Sequence, residues 1–227
     1  MADLEAEKAL AALRAVDEVE SGMLVGLGTG STAVYAIREL GRRVARGLTI
    51  TAVATSNASD ALARQVGMNV LSFEDVAEVD VTIDGADEIT PGLTAIKGGG
   101  GALLREKVVA AASRRVIIIV DSSKPVATLG KFKLPLEVIP FAISWVKSAV
   151  ACLGVTPEVR VRNGVPFRTD QANFILDLPF ESIADPQRLA LALDAIPGVV
   201  EHGLFLNEID AAVIARGSEV EVINRQT

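Results

Sequence analysis

The chain has 227 residues, half of them hydrophobic and 22% charged, with a formal net charge of −7. That composition excludes an intrinsically disordered chain. The acidity, with no basic run longer than two residues, argues against a nucleic-acid partner, and an aromatic content of 4% leaves few stacking platforms for a single strand.

One cysteine, Cys152, excludes an internal disulfide and a Cys-rich zinc site. One histidine, His202, argues against a His-ligated metal. Both read as structural residues. The N-terminal stretch MADLEAEKAL is charged and helical rather than a signal peptide. Apolar runs such as VIIIV fall far short of the ~18 residues a membrane span needs. The expectation is a cytoplasmic protein that acts on a small molecule, without nucleic acid or membrane.

Residues 3–20 repeat apolar positions at helical spacing, and Ser21-Gly22 is expected to end that helix. Residues 23–27 read as a buried strand, the Gly28–Thr32 turn follows, and a helix is expected over about 32–45. The pattern recurs with strand 50–54, polar turn 55–59 and helix 60–66. A short strand near 69–72, a strand 79–83 ending at Asp84, a helix 102–113 and a strand 115–120 complete the first part. Such β-loop-α units with uniformly apolar strands predict a Rossmann-like α/β fold, a mostly parallel sheet with helices on both faces. Ligands bind outside the carboxyl ends of such strands, which places the turns after residues 27, 54, 83 and 120 along one edge.

From about residue 125 prolines become frequent. Strands 136–140, 158–162, 173–178 and 199–205, with helices 143–153 and 186–196, read as a smaller α+β domain. Strands 211–216 and 219–224 are expected to rejoin the first sheet. The expected division is 1–128 with 206–227 as catalytic domain, and 129–205 as small domain.

Residues 82–107 concentrate the chemistry. Asp84, Asp87 and Glu88 crowd a strand end, where like charges raise one another's pKa, and Lys97 is a candidate to relieve them. Four glycines follow Lys97, a costly sequence to order unless a ligand approaches the backbone closely. Glu106 shares a helix face with Ala102, Leu103, Val109 and Ala110. Desolvation there moves a carboxylate toward the range of a general base. Gly28-Thr29-Gly30-Ser31-Thr32 can hold a phosphate at a helix N-terminus or be a capped tight turn. Ala33 in the last position of G-x-G-x-x-G leaves a dinucleotide open, and there is no Walker-type lysine. Thr55-Ser56-Asn57 is adequately explained as a helix cap. Lys124, after Asp121-Ser122-Ser123, is placed to meet an anion.

In this order, GLGTGST (26–32), TSN (55–57), DGADEI (84–89), KGGGGALLREK (97–107), DSSK (121–124), GKFKLPLEVIPFA (130–142), NFILD (173–177) and IPGVVEHGLF (196–205) resemble the type A family of ribose-5-phosphate isomerases. The resemblance implies aldose–ketose conversion of ribose 5-phosphate to ribulose 5-phosphate in the pentose phosphate pathway. It implies no metal or other cofactor, and a homodimer or homotetramer. It implies Glu106 as the catalytic base, with Asp84, Asp87 and Lys97 beside it. Thr29, Gly30, Ser31, Thr32, Asp84, Gly85, Ala86, Asp87, Lys97, Gly98, Gly99, Gly100 and Lys124 are the implied substrate-binding residues. Two departures lie in the small domain: Lys133 stands where many members have proline, and Asp170-Gln171-Ala172-Asn173 where many have Asp-Asn-Gly-Asn.

Overall fold

The computed structural model describes residues 3–226. In chain order, α1 (Leu4–Val16) precedes β1 (Leu24–Leu27), α2 (Ser31–Val44), β2 (Thr51–Ala54), α3 (Asn57–Gln65) and β3 (Asn69–Val70). Then come β4 (Val81–Gly85), β5 (Glu88–Ile89), β6 (Ala95–Ile96), α4 (Leu103–Ala111) and β7 (Val116–Val120). The second part contains β8 (Leu134–Val138), α5 (Ile143–Ala151), β9 (Glu158–Val159), β10 (Val161–Arg162), β11 (Val165–Pro166), β12 (Phe174–Leu178), α6 (Pro186–Asp194), β13 (Val199–His202) and β14 (Leu204–Phe205). β15 (Ala211–Arg216) and β16 (Glu219–Asn224) close the chain.

Seven strands form the main sheet in the order β16-β15-β7-β4-β1-β2-β3, parallel except for the edge pair β15–β16. The two last strands therefore do rejoin the first sheet. Strand periodicity explains why the central strands are apolar throughout. Ile117 and Ile119 pack into a core with α1, α2 and α3, while Val116, Ile118 and Val120 pack into a second core on the opposite face. Fully burying each of these isoleucines stabilises the fold by roughly 2–3 kcal/mol relative to exposure. Helix α4 covers that second side, with Val109 against Val53 and Val79.

A four-stranded antiparallel sheet, β13-β8-β12-β9, carries its own core with Val146 of α5 and Leu193 of α6. A third sheet, β14-β6-β5, links the two larger ones, and nothing in the apolar pattern singled it out.

Several boundaries differ from the sequence expectation. Helix α1 ends at Val16 rather than near residue 20, because the Glu18 and Val19 amides turn back onto Ala15 and Val16 and bury Val19 in the core. Helix α3 starts at Asn57 rather than 60, because Ser56 caps it by accepting from Ser59 N. The expected strand 158–162 splits: β9 pairs with β12, whereas β10 turns into a hairpin with β11 through Asn163 and Gly164, both at positive φ. The expected strand 199–205 splits at Gly203 between two sheets.

Candidate active site

The strand order reverses between β1 and β4: β2 and β3 continue on one side, β7 and β15 on the other. Crevices at such a reversal are where open α/β sheets bind ligands. Here the two strand ends are joined closely. Gly28 N donates to Ile83 O at 3.0 Å, and a Cβ on Gly28 would fall 2.1 Å from Asp84 Oδ1. Only glycine lets β1 turn against this carboxylate.

Asp84 is buried and fully engaged. Its Oδ1 accepts from Thr29 N (3.0 Å) and Gly85 N (2.7 Å), and its Oδ2 lies 2.9 Å from Lys97 Nζ. Lys97 also donates to Gly85 O and lies 3.4 Å from Glu106 Oε2. Burial opposes its charge, but the carboxylates of Asp84 and Glu106 outweigh burial and hold the ammonium above the usual lysine range.

Glu106 lies one turn into α4, on a buried face with Leu103, Val109 and Ala110. Burial pushes its carboxyl up to about 8. Lys97 pulls the other way, and Asp84 and Asp87 add to the rise. Its Oε2 has no hydrogen-bond partner. Asp87 is pushed up by burial too, against the Gly99 N–H and the nearby Lys97, Lys124 and Arg160. Its Oδ2 accepts from Gly99 N at 2.7 Å, and a Cβ on Gly99 would strike the same carboxyl at 2.5 Å.

A cleft of about 80 Å³ opens over these groups, lined by Thr29–Thr32, Gly85–Asp87, Lys97–Gly100, Glu106 and Lys124. The expected substrate-binding residues thus lie together, with Asp84 bonded beneath Lys97, whereas Glu88 turns away and accepts from Gly130 N (2.7 Å) and Phe132 N (2.6 Å). Gly30 (φ +109) is the N-cap of α2 and supplies no side-chain cap, so the first-turn N–H groups of α2 remain available to an anion. The Thr55 and Ser56 hydroxyls lie behind the turn and bond Thr29 Oγ1 at 2.7 and 2.8 Å. The loop bearing Lys124 is anchored by Glu7, which accepts from Ser122 N at 2.8 Å.

Arg160 is the residue the sequence did not single out. It pairs with Asp177 and donates to the carbonyls of Gly98 (2.8 Å) and Gly99 (3.1 Å), bracing the glycine loop from the small sheet. Its alternation with Val159 and Val161 resembles any strand, so no local signal marked it. A larger hollow of about 490 Å³ lies beside the cleft, over the end of β2. Its arginine, Arg105, is bonded to Asn57 (3.0 Å) and paired with Asp170 (3.5 Å), and no buried lysine–carboxylate pair faces it. The smaller cleft is therefore the candidate site. His202 is buried with Lys107, and Cys152 is an exposed C-cap of α5.

A buried carboxylate, a buried ammonium and a helix N-terminus are the components that proton transfer on a small anion calls for. Residues 51–219 match the family described as Ribose 5-phosphate isomerase A (phosphoriboisomerase A), and the chain belongs to that family. A ribose-5-phosphate isomerase A of Sphingopyxis alaskensis is 57% identical over 225 residues, 99% of either chain. The solved ribose 5-phosphate isomerase of Plasmodium falciparum matches with a TM-score of 0.95 at 36% identity, over 99% of this chain and all of that one. A D-ribose-5-phosphate isomerase solved in complex with phospho-erythronic acid matches at 0.94 and 36%, over 98% of this chain and 100% of its own.

Proposed function

We propose that the cleft between β1 and β4 interconverts D-ribose 5-phosphate and D-ribulose 5-phosphate through an enediolate, with Glu106 as the proton carrier. The observation that carries this assignment is Glu106 itself, raised to about 8 and 3.4 Å from a buried ammonium. A base that must first take a proton and then return it works best with a pKa near the operating pH.

In the open-chain sugar, Glu106 takes the proton from C2. The resulting enediolate oxygen develops charge beside Lys97 and the loop N–H groups, where preorganised donors act most strongly. Glu106 then returns the proton to C1. Asp84 is committed to Lys97 and the Thr29 and Gly85 N–H groups. Asp87 faces the cleft with burial favouring its protonated form, so it is the carboxyl placed to pass a proton between sugar oxygens. The phosphate meets the N-terminus of α2 at Ser31 and Thr32, with Lys124 beside it. Phospho-erythronic acid, the ligand of the solved relative, likewise couples a phosphate to an anionic carboxylate.

The division into 1–128 with 206–227 and 129–205 is supported by the two cores, Leu129 and Leu204 packing in the small one, although Phe205, the last residue assigned to it, packs in that of the main sheet. Exposed Phe141, Trp145 and Leu191 on the small unit support a homodimer or homotetramer, which light scattering after gel filtration tests. Among the described residues no helix is long and apolar enough to cross a membrane, in keeping with a cytoplasmic enzyme of the pentose phosphate pathway. The deciding assay is coupled turnover of ribose 5-phosphate against arabinose 5-phosphate and allose 6-phosphate. Faster turnover of either rival would overturn the substrate assignment.

A further inference from the structure

Phe205 is completely buried, yet two ammonium groups reach its ring. Lys97 Nζ lies 5.3 Å from the ring centroid and Lys107 Nζ 5.1 Å. Strand geometry produces the first of these contacts. In the β14–β6 pair Phe205 stands opposite Ala95, and Lys97, two residues beyond Ala95, points to the same side. Opposite Lys97 stands Gly203, whose carbonyl accepts the Lys97 N–H at 2.9 Å. A Cβ on Gly203 would fall 2.4 Å from Lys97 O and 2.7 Å from Pro135 Cδ. The backbone that carries the ring is thus drawn tight against the backbone that carries the lysine.

The two ammonium groups differ in what else holds them. Lys107 is already compensated, 2.6 Å from Glu201 and 2.8 Å from His202 O. Lys97 donates to Gly85 O but depends for counter-charge on Asp84 and on Glu106, and Glu106 loses its charge whenever it carries the proton. At that moment one counter-charge disappears while an oxyanion forms. An aromatic face attracts a cation through its quadrupole, without a titratable group and without consuming an N–H donor. The geometry points to Phe205 as a positioning residue for the isomerisation: its ring holds the Lys97 ammonium in place while Glu106 cycles between its two protonation states. The inference rests on the role given to Lys97 above.

Ring fluorination separates this role from packing. Phenylalanine carrying one, two or three fluorines at position 205 weakens the quadrupole stepwise with little change in shape. The expected result is a stepwise fall in kcat, about tenfold over the series, with KM changed less than about twofold and the melting temperature unchanged. Phe205→Leu, which keeps an apolar side chain without a π face, is expected at the low end of that series. A flat kcat, or a fall that tracks lost thermal stability, overturns the inference. Lys97→Met distinguishes the two levels. Normal turnover in that variant removes the role of Lys97 itself. Lost turnover there, together with a flat fluorine series, removes the role of the ring alone.

Discussion

Two glutamates of this protein share an unusual state. Glu106 on α4 and Glu137 on β8 are both buried, both have a pKa raised by burial, and in each the buried Oε2 accepts no hydrogen bond. Their surroundings separate them. Glu137 Oε1 accepts from Thr169 Oγ1 (2.8 Å) and Asn173 Nδ2 (2.9 Å), so it pins the turn after β11 onto the small sheet. Glu106 has a buried ammonium beside it and a cleft above it. A perturbed carboxyl becomes a candidate base only where a substrate can reach it and a cation can share the charge it handles. Desolvation alone builds structure equally well.

Substitutions test that contrast. Glu106→Gln keeps the shape of the side chain and removes the base, so kcat is expected to fall by about 10³ with ribose 5-phosphate still bound. Steady-state turnover with binding calorimetry measures both, and near-normal kcat would return Glu106 to the same class as Glu137. Lys97→Met is expected to cost about 10² in kcat through the lost oxyanion partner.

The pH dependence should differ in the same direction. The base must be ionised to take the C2 proton, so kcat/KM should rise with pH up to about 8 and level off above. The stability linkage has the opposite sign. A carboxyl whose pKa is higher in the folded state contributes stability below its unfolded pKa and loses it as pH rises through the folded value. Between pH 5 and 9 the wild-type melting temperature should therefore fall more than that of Glu106→Gln. Equal slopes would show that Glu106 is not raised.

The structural glutamate should answer differently. Glu137→Gln retains the acceptor for Thr169 and Asn173, so turnover should stay within about twofold and stability within about 1 kcal/mol. A loss of kcat comparable to that at Glu106 would break the comparison. The smallest effect belongs to the turn that Glu137 holds. Ala172 sits at φ +62, a left-handed conformation that suits glycine. Ala172→Gly should stabilise by about 0.5–1 kcal/mol, or roughly 1–4 °C in melting temperature, with kcat unchanged.

The parts of the site that could be read in advance share a cause. Each is announced by a local pattern: Gly28, Asp84 and Asp87 lie at strand ends that the periodicity of apolar residues locates, and Lys97 opens a run of four glycines that is costly to order. Glu106 was legible because one helical turn places it among Leu103, Val109 and Ala110. Arg160 and Phe205 were not, since each sits in an ordinary run of strand residues and acquires its role only from a partner far along the chain. Arg160 meets Gly98 and Gly99 across the junction of two sheets. The β5-β6-β14 sheet was missed for a similar reason: two-residue strands carry too little alternation to register.

By itself the chain's local chemistry determined the β-loop-α succession, the apolar strands buried on both faces, and the collection of acids, lysine and glycines at one sheet edge. Those follow from short-range patterns and from the carboxyl-end rule of parallel sheets. Only the tertiary structure decided which of two buried glutamates faces a cleft, and which carboxylate is committed to Lys97. It also decided which ring lies against that ammonium. These depend on distances between segments far apart in sequence, and desolvation and ion pairing follow distance rather than order along the chain.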